Sequence, residues 1–165
     1  MLQASLAALS LSFVSYLRRR FSSGPLYECA EIESLNVSKW DTSLGQDLTS
    51  MFRGCCVLPR LDVSNFDTQS VTNMQGMFQR CENLTYLDVS KWDTSNVNDM
   101  GWMFNKCYKL DNLDVSNWDT SSVTTMYVMF QCCENLAYLD LSNWDTSNIS
   151  NIAFMFNNCL FNCDT

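Results

Sequence analysis

Apolar residues return along this chain at a fixed interval. Leu35, Leu61, Leu87, Leu113 and Leu139 stand twenty-six residues apart, and their surroundings recur in step. Five places after each Leu comes a large ring: Trp40, Phe66, Trp92, Trp118 and Trp144. A Met-Phe pair follows at Met51-Phe52, Met77-Phe78, Met103-Phe104, Met129-Phe130 and Met155-Phe156, then Cys55, Cys81, Cys107, Cys133 and Cys159. Leu26, Cys29 and Ile32 leave a degenerate trace of the same columns. A repeat of this length predicts a stack in which each unit buries its apolar face only against its neighbours.

One unit predicts its own elements. Leu84, Leu87 and Val89 end on period-2 spacing, which suits a short strand with Tyr86, Asp88 and Ser90 facing outward. Trp92 fills a corner. Asp93-Thr94-Ser95 suits a helix start, and Val97, Met100, Met103, Phe104 and Cys107 follow at helical spacing. The expected fold is an α/β repeat solenoid. It is a leucine-rich-repeat-like, right-handed stack of about five coils, with a parallel sheet on one face and short helices or 3-10 turns on the other. The coils are 35–60, 61–86, 87–112, 113–138 and 139–164, preceded by a capping half-repeat at 24–34 and an N-terminal segment at 1–23. Gly45 stands in the column of Val97, Leu44 is one place early and Pro59 precedes a strand, so the first coil is expected to be distorted.

The string LDVSNWDTSSVTTMYVMFQCCENLAYLDLSNWDTSN, from Leu113 to Asn148, resembles the repeat of BspA-like leucine-rich-repeat surface proteins. The motif is Met-Phe-x-x-Cys-x-x-Leu-x-x-Leu-Asp-Val-Ser-x-Trp-Asp-Thr-Ser, and the resemblance runs from Leu26 to Asn162. It implies a surface-displayed, non-enzymatic module of the adhesion or matrix-binding kind, cell-surface or extracellular in location.

Composition narrows the chemistry. Of 165 residues, 47% are hydrophobic and 17% charged, enough apolar material for a core. Acids outnumber bases 18 to 10 for a net charge of −8, the wrong sign for a nucleic-acid partner. There is no histidine, so imidazole catalysis and the commonest metal ligand are missing. Neither a cofactor, a metal site nor a membrane span is expected.

The main candidate site is an acidic ladder on the strand face: Asp62, Asp88, Asp114 and Asp140, beside Ser90 and Ser116, with Tyr86 and Tyr138 on the flank. Carboxylates repeating at the spacing of adjacent strands, about 4.8 Å, repel, so their pKa values should rise or cations should gather. The ladder reads as a surface for a protein or glycan ligand; the alternative reading is a solvated face that keeps the sheet soluble. Two other function classes remain open: a polysaccharide hydrolase using two stacked acids, and a structural spacer. Against the hydrolase, the acids repeat identically in every coil.

The corner acids Asp41, Asp67, Asp93, Asp119 and Asp145, each followed by Thr, read as helix caps and Asx turns. A threonine ladder of the ice-binding kind is the rival reading. Six of the nine cysteines, Cys29 included, share one inward column and read as buried thiols rather than disulfides. Cys56, Cys132 and Cys163 fall outside it, and Cys56 and Cys132 are the expected reactive thiols. The Met and Phe columns read as core. Asn36, Asn83 and Asn148 head sequons that matter only in a eukaryotic secretory pathway.

The ends carry two expectations. Residues 1–23 contain no acid and place Arg18-Arg19-Arg20 after an apolar run. They suit either an organelle presequence or a capping helix with Leu2, Leu6, Leu9, Phe13 and Leu17 on one face. Thr165 falls where the next Leu would stand, which predicts a longer parent array or an end covered by end-to-end self-association.

Overall fold

A computed structural model describes residues 30–160. The segment 1–23, Leu26 and Cys29 of the half-repeat, Cys163 and Thr165 lie outside the described residues.

Successive coils are joined in register. Isolated parallel bridges run Asp47–Asn73–Asp99–Thr125–Asn151, and a second set runs Arg60–Tyr86–Asn112 half a coil away along the chain. Every bridge links a residue to its repeat mate. The columns behind them form one core: Leu87, Val89, Trp92, Val97, Met100, Met103, Phe104, Cys107 and Leu110 are all buried, as are their mates in the coils on either side. Aromatic rings stack through it. Phe52, Phe78, Phe104 and Phe130 follow each other at 5.4–5.6 Å between centroids, within 10° of parallel. Trp92, Trp118 and Trp144 follow at 6.3–6.4 Å, within 2°. In the last coil Trp144 and Ile149 are only half-buried, and Ile152, Phe154 and Leu160 are exposed.

The expected α/β leucine-rich-repeat solenoid is not what forms. Among the described residues there is no helix, and no strand longer than a single bridge. Each coil is a chain of tight turns, and two local competitions explain why.

The first concerns the helix. Apolar residues three apart also mark the two ends of a β-turn. Met103 N–H donates to Met100 C=O (3.3 Å), Asn105 to Trp102 (3.0 Å), Cys107 to Phe104 (3.1 Å) and Leu110 to Cys107 (3.2 Å). The amides between them turn outward along the stack instead. Met100, Trp102, Phe104 and Lys106 donate to Thr125, Tyr127, Met129 and Gln131 of the following coil, at 2.8–3.1 Å. A helix spends its amides internally; this stretch spends every second one on its neighbour. The switch requires left-handed residues at the third turn position. Gly54 and Gly76 fit that need, but so do Ser50, Arg80, Trp102, Lys106, Val128, Cys132, Phe154 and Asn158, all at φ between 55° and 63°.

The second concerns the strand. Ser90 N–H and Oγ both donate to Asp88 Oδ1, at 3.1 and 2.7 Å. Such a local turn removes the amide from any ladder, so pairing ends at Tyr86. Asp62 with Ser64, Asp114 with Ser116 and Asp140 with Ser142 do the same, and in the first coil Asn36 takes the place of the Asp and accepts from Ser38.

The first coil keeps the common pattern. Gly45 N–H donates to Thr42 C=O at 2.8 Å, as Val97 does to Thr94. A Cβ at Gly45 would sit 3.1 Å from that carbonyl oxygen, and Leu44 points into solvent, 91% exposed.

Candidate functional site

The acidic column stands where the paired stretch gives way to the local turn. Tyr86 is exposed (52%), Tyr138 more so (73%), and Asp88 and Ser90 are half-buried. Asp62, Asp114 and Ser64 are exposed, while Ser116 and Asp140 are half-buried. Two shallow grooves lie along this column. One, of about 310 Å³, is lined by Arg60, Leu61, Asp62, Ser64, Tyr86 and Asp88. The other, of about 240 Å³, is lined by Tyr86, Leu87, Asp88, Ser90, Asn112 and Asp114. They share Tyr86 and Asp88. Tyr138, Asp140 and Ser116 line neither.

The expected rise in carboxylate pKa is reversed where it is resolved. The Ser64 hydroxyl, and then the Ser64 N–H, hold Asp62 below the usual carboxylate range, and Ser142 does the same for Asp140. Hydrogen bonds to the charged form outweigh repulsion between exposed carboxylates. With the folded pKa lowered, the ionised turn stabilises the protein above the ordinary aspartate value of about 4 and is lost as pH falls through the lowered one. Ser64→Ala is therefore expected to raise the Asp62 pKa while leaving Asp140 unmoved, as read by carboxyl NMR titration.

The corner acids cap turns, with no helix behind them. Asp41, Asp67, Asp93, Asp119 and Asp145 each accept the N–H two residues on, at 2.9–3.1 Å. The threonines that follow do not form an outward ladder. Thr42, Thr68, Thr94 and Thr120 are buried, and the hydroxyls of Thr68, Thr94 and Thr120 donate to Asp93, Asp119 and Asp145 carbonyls of the following coil at 2.9 Å.

Cys81, Cys107, Cys133 and Cys159 send their Sγ–H to the carbonyls of Phe52, Phe78, Phe104 and Phe130, at 2.9–3.2 Å. None of the seven described cysteines is in a disulfide. Cys56 and Cys132 are half-buried, and Asn158 Nδ2 reaches the Cys132 sulfur at 3.7 Å. Among the described residues no group of His, Cys, Asp or Glu could hold a metal ion, and no helix is long and apolar enough to cross a membrane.

Residues 21–113 and 84–165 match the family described as "Mycoplasma protein of unknown function, DUF285". The chain belongs to this family. Membership in DUF285 agrees with the repeated unit and with a surface protein, and names no ligand. No curated protein and no solved structure matches the chain.

Two features of this DUF285 chain were not foreseen from its sequence. Two sequon asparagines are engaged as inter-coil links: Asn83 Nδ2 donates to Cys56 C=O at 2.8 Å and Asn148 Nδ2 to Ser121 C=O at 2.7 Å. And a third groove, of about 390 Å³, is lined by Ser50, Arg53, Gln75, Gly76, Gln79 and Trp102. The signal that points to it is a turn column that does not repeat: Ser50, Gly76, Trp102, Val128, Phe154.

Proposed function

We propose that this chain is a non-enzymatic recognition scaffold of a surface protein, binding a protein or glycan across its acidic face. The observation that carries this reading is the pair of grooves meeting at Tyr86 and Asp88. An exposed aromatic ring between carboxylates offers an apolar contact flanked by acceptors for hydroxyl, amide or cationic groups. The Asx turns hold Asp62, Asp88 and Asp114 by Oδ1, so the second oxygen of each is presented from a fixed side chain. Ligands of this kind lose little to ordering of the protein. The resemblance to BspA-like surface proteins supports the same reading.

Against a hydrolase on this face, the same Asp-Ser turn holds Asp62, Asp88 and Asp114 alike, whereas an acid and base pair needs two carboxylates set apart by their surroundings. A purely structural spacer has no use for grooves centred on an exposed tyrosine.

The test is a glycan-array and pull-down screen with the full chain, followed by Asp88→Lys with Asp114→Lys against whatever is captured. Affinity should fall by at least about tenfold and should also weaken with added salt. Unchanged affinity in the doubly reversed variant rules this face out.

A further inference from the structure

The third groove lies beside the other bridge column, half a coil from the acidic face, and is built differently. Its floor is Gly76. A Cβ added there would sit 3.4 Å from Ser50 Oγ and 3.5 Å from Gln79 Oε1, so two oxygens converge over bare backbone. The amides around it are oriented. Gln79 Nε2 donates to Asn105 Oδ1 at 3.0 Å, which turns its oxygen toward the floor, and Gln75 Nε2 donates to Asp99 Oδ2 at 3.3 Å. Asn105 is itself buried and donates to Gln131 Oε1 at 3.1 Å, so the amides are locked by a network and not by chance contact. Arg53 supplies a guanidinium to the lining.

The single aromatic wall is Trp102. It is half-buried, and Tyr127 meets it edge-on at 4.9 Å and 78°. Phe154 in turn meets Tyr127 at 6.2 Å and 79°. The indole is thus braced from the coil that follows, while the groove opens toward the two coils before. Trp102 sits at φ 56° in a left-handed turn, where glycine would be at ease, as Gly76 is one coil earlier. Backbone energetics alone disfavour a tryptophan there by roughly 1–2 kcal/mol.

A braced ring, a hydroxyl, a fixed amide oxygen and a guanidinium around a small open groove form the chemistry that a sugar ring needs. A pyranose has an apolar C–H face to lay on an indole and a rim of hydroxyls that both donate and accept. A volume of about 390 Å³ is within the range of small-ligand sites, which pair apolar walls with a few placed polar groups. The net charge of −8 works against phosphate-bearing ligands. We propose that this groove is a separate binding site for a neutral pyranose unit of a glycan, stacked on Trp102 with its hydroxyls on Ser50, Gln79 and Arg53. The site does not depend on the acidic face.

The test follows the Trp102 indole N–H by NMR in the full chain. The probes are cellotriose, maltotriose and triacetylchitotriose, with an oligoproline peptide and adenosine beside them. At least one trisaccharide should shift the Trp102 signal saturably. Trp102→Gly, which copies Gly76, should lower the affinity for that trisaccharide tenfold or more with no loss of fold. Gln79→Ala should lower it severalfold. Asp88→Lys with Asp114→Lys should leave it unchanged, which separates this site from the acidic one. The proposal is overturned if no trisaccharide moves the Trp102 signal, if only oligoproline or adenosine does, or if Trp102→Gly binds the sugar as well as the native chain.

Discussion

Phe104→Ala is expected to destabilise the protein by about 3–5 kcal/mol, the range for a large aromatic removed from a packed core. Phe104 is fully buried and stacks on Phe78 at 5.6 Å and on Phe130 at 5.4 Å, with Trp118 at 6.3 Å. Truncation therefore breaks the ring column on both sides at once. Each coil in a stack is stabilised only by its neighbours, so a defect in a middle coil weakens two interfaces. Phe156→Ala removes the same residue type from the last described coil, where the ring is 36% exposed and stacks on Phe130 at 5.6 Å. Its cost should be less than half as large. Urea unfolding followed by tryptophan fluorescence reads both; at a slope of about 1–3 kcal/mol per molar, Phe104→Ala moves the midpoint by 1 M or more. Equal shifts in the two variants would mean that the ring column is not a continuous core.

The second large effect is a collapse of stability in base. Burial pushes the thiols of Cys81, Cys107 and Cys133 well above their ordinary range, with neighbouring thiols of the same column adding to the rise. Below the ordinary thiol value of about 8.5, folded and unfolded chains both hold these protons, and pH has no leverage through them. Above it the unfolded chain sheds them while the folded chain keeps them. Stability must then fall as pH rises, by about 1.4 kcal/mol per pH unit for each thiol. Three thiols acting together amount to roughly 4 kcal/mol per unit, which is most of the stability of an ordinary domain within two pH units. Unfolding midpoints measured from pH 7 to pH 11 should drop steeply past about 8.5. The variant with Cys81, Cys107 and Cys133 all changed to Ala starts from a lower stability but should show a much flatter decline. An equally steep decline there would assign base lability to other groups.

The period was open to reading from the Leu, Trp, Met-Phe and Cys columns, because burial imposes the same residue at each level of a stack. The local conformation was not. Met100, Met103, Phe104 and Cys107 have one spacing whether they line a helix or end successive turns, and hydrophobic period alone does not separate the two. What decides is the backbone at Trp102 and Lys106, which is left-handed without glycine. Only Gly54 and Gly76, standing in those same columns, hint at it. The strand failed for a similar reason: Leu87 and Val89 do face inward, but Ser90 donates its N–H and its hydroxyl to Asp88 Oδ1 and ends the pairing. On the acidic face, Asp62, Asp88, Asp114, Tyr86 and Ser90 come together around two grooves, and Tyr138, Asp140 and Ser116 do not. The Trp102 groove arises from differences between coils, and a search for sameness passes over it.

The amides of Met100, Trp102, Phe104 and Lys106 all point toward the coil that follows, and the carbonyls that receive them all point back. These four bonds share one sense, whereas Asn98, just before them, sends its N–H back to Thr72 C=O of the preceding coil. Two copies of this row of four amides brought face to face would set donor against donor, so the row by itself is no template for a twofold pairing.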